Sequence, residues 1–308
     1  MTGFHDDRRL AIAARPSALA RSQAEWVRQA LAARGFAVEP DLKVIETSGD
    51  RTPDRPLPEI GGKGLFTADL EAALRRGEVD LAVHSLKDLP IELPAGICLA
   101  AIPEREDPRD VLVSRRYPSL QDLPDGALVG TSSLRRGSQL LALRPGLRIE
   151  PIRGNVETRV RKVDDGEFDA AVMAGAGLLR LGLHDRITAW LPFEQMLPAP
   201  GQGALAVQCR EDDLEALTAL RLVDSLPVRR AVEAERAFLE GLGGGCSAPV
   251  AAFARSHPAL VELEGLVGSL DGAQIVRVRG SGTDPAALGK RLAEEAIRLG
   301  AGRLIVHG

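Results

Sequence analysis

The sequence predicts an α/β protein with two doubly wound domains followed by a smaller α+β domain. Three observations lead there. At 308 residues the chain is too long for one ordinary core and fits two to three domains. From residue 10 to about residue 174, short apolar runs of strand length alternate with stretches of helical period. From residue 249 onward the period changes to two, with Asp271-Gly272 as a hairpin turn.

Residues 10–13 read as the opening strand. Ser17 can cap a helix carrying Leu19, Gln23, Val27 and Leu31 on one side and ended by Gly35. Residues 38–47 are strand-like, and residues 48–58 form a polar loop rich in Pro and Asp. A helix over 67–76 turns Leu70, Ala73 and Leu74 inward, with Gly77 past its end. Residues 81–84 form a short buried strand, followed at once by Ser85, Lys87 and Asp88. Functional groups of α/β folds gather just past the carboxyl ends of strands. Strands at 111–114 and 127–129 come next, the second running into GTSSLRRGSQ. A helix over 134–143, a strand at 148–152, a helix over 156–163 and a strand at 168–174 continue the rhythm, which implies parallel sheets covered on both faces. Residues 197–203 (LPAPGQG) read as a Pro/Gly hinge leading into a strand at 204–209. Helices over 211–222 and 228–242, strands at 250–255, 260–267 and 274–279, and a helix over 285–299 complete the chain. The expected domains are 1–103 with 201–222, then 104–200, then 223–308.

The formal net charge is −4 and aromatics make up 3% of residues, which argues against a nucleic-acid binder. No apolar run reaches ~18 residues, and residues 1–10 lack a signal-peptide core, so no membrane association is expected. Cys98, Cys209 and Cys246 are far apart, with no CxxC pair and no His at zinc spacing. A disulfide framework and a metal site are therefore not expected, and a reducing cytoplasm is. GxxxxGK[ST] is absent, and no GxGxxG follows a strand, which removes the main support for nucleotide readings. The 39 basic residues include only five lysines, at positions 43, 63, 87, 162 and 290. Lys63 and Lys87 thus mark places where a guanidinium fork does not substitute for a compact ammonium.

Five groups could carry chemistry. Arg15-Pro16-Ser17 places Arg and a hydroxyl at a helix start, an anion site by geometry. HSLKDLP at 84–90 presents several polar groups at a strand end. GTSSLRR at 130–136 and Arg153-Gly154-Asn155 with Arg159 repeat a strand–hydroxyl–helix arrangement with added arginines. Taken singly, each is also what an ordinary cap or solvated turn would show. Several in one chain, each past a strand, suggest a polyanionic ligand held in one cleft. Cys246, behind three glycines, is either an incidental loop cysteine or a nucleophile with room for a bulky adduct. Cys98 and Cys209 sit in apolar runs and read as small buried hydrophobes.

The stretches ARPSALARSQA, GGKGLF, VHSLKDLP, EREDPRD, VGTSSLRR, RGNVETR, LRLGL, LPAPGQGA and GGGCSAP, in this order, closely resemble the porphobilinogen deaminase (hydroxymethylbilane synthase) family. The resemblance implies two periplasmic-binding-protein-like domains and a transferase that joins four porphobilinogen units with loss of ammonia. It implies a dipyrromethane cofactor attached covalently through Cys246, and Asp88 as the catalytic carboxylate. It assigns Lys87, Ser85, Thr131, Ser132, Ser133, Arg135, Arg136, Asn155 and Arg159 to the cofactor. Arg15, Ser17, Arg153, Arg159, Arg180 and Gln202 are assigned to substrate, and Lys63 and Phe66 to the active-site loop. Glu59 stands where some members carry a lysine, and it is expected to face solvent. A monomer is expected. The competing reading is a non-enzymatic, periplasmic-binding-protein-like anion-binding protein, which would need neither Cys246 nor Asp88.

Overall fold

In the computed structural model, which describes residues 9–39, 41–51, 65–243 and 249–305, the first apolar run forms a buried strand, β1 (Ile12–Ala14). It is followed by α1 (Ala18–Ala32), β2 (Lys43–Val44), α2 (Ser48–Arg51), α3 (Ala68–Arg75), β3 (Leu81–Ser85) and β4 (Ile97–Ala101). Next come β5 (Asp110–Ser114), β6 (Leu128–Gly130), α4 (Leu134–Leu143), β7 (Arg148–Glu150), α5 (Val156–Asp164), β8 (Ala170–Ala174), α6 (Gly175–Arg180) and β9 (Ala189–Trp190). The rest is β10 (Leu205–Arg210), α7 (Leu214–Arg221), α8 (Leu226–Gly241), β11 (Val250–Ser256), β12 (Val261–Gly268), β13 (Ile275–Gly282) and α9 (Pro285–Arg298). Glu59, Lys63 and Cys246 lie outside the described residues.

The chain divides into two units, Met1–Glu104 with Leu205–Ser225, and Arg105–Ala204 with Leu226–Gly308. The first contains a five-stranded sheet of order β2-β1-β3-β10-β4. Strand β1 runs parallel to β2 and β3, whereas β10 runs antiparallel to β3 and β4. The second unit repeats the plan as β7-β6-β8-β5-β9, with β6 parallel to β7 and β8, and β5 antiparallel to β8 and β9. The sheets are therefore mixed, not parallel as the helix–strand rhythm suggested. Parallel neighbours need a covering crossover. Strands β5 and β10 are each reached by the chain from the other unit, not through a helical crossover from a neighbour in their own sheet.

Alternation along each strand divides its side chains between two cores. In the first sheet Ile12, Leu81, Val83 and Val207 pack with α1 residues Ala24, Val27 and Leu31 and with α7 residues Ala216 and Leu220. Ala13 and Ala82 point the other way, onto Leu70, Ala73 and Leu74 of α3. In the second sheet Leu112, Val129 and Val172 pack with Leu140 of α4. Val111, Val113 and Met173 meet Val160 and Val163 of α5. Strands β11, β12 and β13 form an antiparallel meander under α8 and α9, with Phe238 fully buried at the join. The molecule is thus an α/β fold of two doubly wound sheets with a small C-terminal sheet. Most of the expected strand 38–47 is not strand, because β2 is an exposed two-residue edge with β1 as its partner.

The segment read as a hinge is firmly held within the second unit. Glu235 of α8, fully buried, accepts from Gly201 N at 2.7 Å and Ala254 N at 2.9 Å and pairs with Arg105 at 2.7 Å. Gly203 has φ +86°, and a Cβ there would lie 2.4 Å from the Glu106 carbonyl oxygen, so only glycine fits.

Candidate active site

In the first unit the ends of β1 and β3 bring the predicted polar groups to one pocket. Arg15, Ser17, Gln23, Phe66, Thr67, His84, Ser85 and Asp88 line it. Ser17 caps α1, its Oγ accepting from Ala20 N at 3.2 Å. Gln23 Nε2 donates to Ser85 Oγ at 2.8 Å, which fixes the strand end against the helix. Leu86–Asp88 then turns as a single 3₁₀ helix and leaves Asp88 exposed, with no hydrogen-bond partner among the described residues. Lys87 is half-buried and is not part of the lining.

Arg15 is engaged from two sides. Its guanidinium forks onto Asp50, Nε to Oδ2 at 3.2 Å and Nη2 to Oδ1 at 2.6 Å, and lies 4.0 Å over the Phe66 ring. Asp50 Oδ2 also accepts from Thr47 N at 3.1 Å and Thr47 Oγ1 at 2.7 Å. Burial opposes the ionised carboxyl of Asp50, but the hydrogen bonds from Arg15 and Thr47 outweigh it and hold its pKa below the ordinary value.

His84 lies beneath this surface at 5% exposure. Its Nε2 and Gln208 Oε1 are both buried without a hydrogen-bond partner of normal geometry among the described residues. Burial favours the neutral imidazole, the Gln208 amide opposes this, and the Arg15 charge reinforces it, so the pKa is pushed down to about 4.

In the second unit the predicted arginines meet a carboxylate that the sequence reading did not single out. Asp110, at the start of β5, is fully buried. Arg135 Nη1 donates to it at 2.7 Å, and Arg136 donates through Nε at 3.0 Å and Nη2 at 2.8 Å. Gln202 Nε2 adds a bond at 2.9 Å and donates to Pro108 O at 2.7 Å. Burial alone would raise the Asp110 carboxyl, but the two guanidiniums hold it far below the usual range. Gln202 is the residue that the resemblance assigns to substrate. It is fully buried, and its amide is engaged by Asp110, Pro108 and the two arginines. Arg135 and Arg136 are likewise buried with forks turned to Asp110, although Arg135 Nε keeps no partner among the described residues.

The hydroxyls before α4 are ordered locally. Thr131 Oγ1 accepts from Ser133 N at 3.2 Å, Ser132 Oγ donates to Ile152 O at 2.9 Å, and Ser133 caps α4. Asn155 caps α5 through Thr158 N at 2.9 Å, and Arg159 Nε donates to Gly154 O at 2.9 Å. Gly154 has φ +104°, and a Cβ there would meet Thr158 Cγ2 at 2.6 Å. Arg153 is half-buried and has no ion-pair partner among the described residues. Arg180 is mostly enclosed, donating to Gly203 O at 2.8 Å; desolvation lowers its pKa, opposed by Glu106.

The structure therefore brings Arg15, Ser17, Phe66, Ser85 and Asp88 together in the first unit, and Arg135, Arg136 and Gln202 together in the second. Asp50, Gln23, His84, Thr67 and Asp110 join them without having been predicted as site residues. A usable signal existed for His84, which begins the strand-end motif, and for Asp110, which closes EREDPRD.

A family model described as "Porphobilinogen deaminase, dipyromethane cofactor binding domain" matches residues 10–218, and one described as "Porphobilinogen deaminase, C-terminal domain" matches residues 229–298. A porphobilinogen deaminase of Brevibacillus brevis is 50% identical over 299 residues, 96% of this chain and 96% of that relative. One of Desulforudis audaxviator is 49% identical over 302 residues, covering 97% of this chain and 98% of the relative. Among solved structures, a nutrient binding protein of Burkholderia cenocepacia bound to methionine overlaps with a TM-score of 0.43 at 17% identity, over 71% of this chain and 93% of that one. The chain belongs to the porphobilinogen deaminase family.

Proposed function

We propose that the chain is a hydroxymethylbilane synthase, a transferase that condenses four porphobilinogen units head to tail, releases one ammonia per unit, and frees the product with water. The observation that carries this reading is the first-unit pocket, where an exposed carboxylate, Asp88, shares one lining with Arg15 and Ser17. Porphobilinogen bears an acetate, a propionate and an aminomethyl group. Loss of that amine as ammonia breaks a carbon–nitrogen bond and leaves a cationic methylene pyrrole. The Asp88 carboxylate stabilises this cation, and at ~4 Å with an effective dielectric near 20 the attraction is roughly 4 kcal/mol, up to about a thousandfold in rate. Asp88 also takes the pyrrole proton released as the new carbon–carbon bond forms. Arg15 and Ser17 orient the ring's carboxylates.

A dipyrromethane carries several carboxylates, and the second unit retains donors suited to them. Arg135 Nε is buried and unpartnered, and Arg153 has no ion pair among the described residues. The residues fit the group. Arg153, Arg159, Ser132, Thr131, Ser133, Asn155, Arg135 and Arg136 of the second unit would hold it; the family resemblance also assigns Ser85 and Lys87 to it. Bound through a thioether to Cys246, it supplies the pyrrole carbon onto which the first unit is added. Lys63 belongs to the active-site loop. The enzyme is cytoplasmic and monomeric, with domains 1–103 with 201–222, 104–200 and 223–308; among the described residues no helix is long and apolar enough to cross a membrane.

Intact mass and turnover test this together. The purified chain carries a fixed added mass that is lost in Cys246→Ser, and it consumes porphobilinogen. Asp88→Ala keeps the fold and the adduct but loses about a hundred- to a thousandfold in turnover. A bare polypeptide mass with no porphobilinogen consumed overturns the assignment, and wild-type turnover in Asp88→Ala overturns the role of that carboxylate.

A further inference from the structure

Strands β4 and β10 place two cysteines directly opposite one another. Cys209 and Cys98 are register partners in this antiparallel pair, and their sulfurs lie 3.8 Å apart although the residues are 111 apart in sequence. Two positions farther along, Glu211 N donates to Gly96 O at 3.0 Å, so the cysteine pair is of the wide, hydrogen-bonded kind. Such pairs have Cα atoms about 5.5 Å apart, within the range of roughly 4.4–6.8 Å that a disulfide spans. Directly opposed residues share one face of the sheet. Both cysteines are free thiols, Cys209 buried in the first-unit core and Cys98 half-buried beside it.

We propose that Cys98 and Cys209 are an oxidisable dithiol, a modification site at which a peroxide-class oxidant closes a cross-strand disulfide between β4 and β10. The partly exposed Cys98 is the sulfur an oxidant reaches. The Cys209 thiol, hydrogen-bonded to it, lowers the Cys98 pKa and favours the thiolate, which is the nucleophilic form. Cys98 thiolate attacks a peroxide oxygen, the oxygen–oxygen bond breaks, and hydroxide leaves, taking up a proton to become water. Cys98 is now a sulfenic acid. The Cys209 sulfur attacks the Cys98 sulfur, the sulfur–oxygen bond breaks, and a second water leaves with the Cys209 proton. Two thiols lose two electrons and two protons, and one peroxide becomes two waters. The site is independent of the proposed activity.

The placement gives the bond a particular reach. Strand β4 is the last of the first unit before the chain leaves it, and β10 is the first after its return. A Cys98–Cys209 bond therefore closes a covalent ring around the whole Arg105–Ala204 segment.

The test treats the full-length protein with hydrogen peroxide and maps non-reduced peptides by mass spectrometry. The expected result is one Cys98–Cys209 cross-linked peptide, lighter by two hydrogens than its two parts and reversed by dithiothreitol. It persists in Cys246→Ser and is lost in Cys98→Ser and in Cys209→Ser. Oxidation of the wild-type chain raises the melting temperature reported by Trp26, a residue of the first unit, by several degrees and reduction reverses the shift. If peroxide leaves both thiols free, drives Cys98 to sulfinic acid, or links either cysteine to Cys246 or to a second chain instead, the proposal fails. The peptide map of the wild-type chain decides this even if a serine variant does not fold.

Discussion

The two units bury a titratable side chain in opposite ways. In the first, His84 is enclosed and stays neutral, since no carboxylate pairs with it among the described residues and the charge that acts on it is the cation Arg15. In the second, Asp110 is enclosed and stays charged, because two guanidiniums and a carboxamide surround it. Burial penalises the charged form in both cases. The neighbours decide whether the group discharges or is matched. The first arrangement is sensitive to mild acid; the second depends on every partner remaining in place.

The sharpest way to break the contrast is Asp110→Ala, which leaves two buried guanidiniums without a counter-charge. The expected loss is about 3–5 kcal/mol of stability, read by urea denaturation through Trp190 in a Trp26→Phe background. A loss below about 1 kcal/mol would show that water or relaxation compensates. A smaller effect separates the units by pH. The His84 pKa is depressed in the folded state, so the unfolded chain binds the extra proton between pH 6.5 and 4. The contribution is intact above about pH 6.5 and is lost as pH falls toward 4, by about 3 kcal/mol at most. Asp110 is also depressed, but from the ordinary carboxylate value, so its contribution fails only at pH below about 4. Trp26 fluorescence should therefore report acid destabilisation before Trp190 does, and His84→Gln should flatten the first phase. Coincident transitions in both variants would remove the distinction. The smallest expected effect is a control. Asn155→Ala removes the cap bond to Thr158 N and should lower stability by about 1 kcal/mol, visible through Trp190 and without change in the pH profile.

Features written in local residues were legible. Ser17 before an apolar helix, Ser133 before the 134–143 helix and the strand that delivers Asp88 all appear where pattern and cap chemistry put them. Helix α4 matches its expected limits, 134–143. What could not be read were partnerships across the chain. Arg15 and Asp50 are separated by 35 positions, Arg135 and Asp110 by 25, and Cys98 and Cys209 by 111. Each forms because sheet topology brings distant strand ends together, which no periodicity records. The arginines suggested an anion; the one that Arg135 and Arg136 meet, Asp110, belongs to the protein itself. The antiparallel course of β5 and β10 was hidden for the same reason, since a strand's direction in its sheet is set by the strands flanking it.

The position of β10 in the first sheet also bears on how the chain is made. Strand β10 fills the slot between β3 and β4, yet a ribosome delivers it only after all of Arg105–Ala204. At roughly 5–20 residues per second, on the order of 10 s separate the release of Ser85 from that of its partner Leu205. Throughout that interval β3 and β4 each lack a neighbour and carry open backbone edges. The nascent chain is most exposed to wrong strand pairing while the second sheet is being synthesised, and arrival of residues 205–210 ends that exposure.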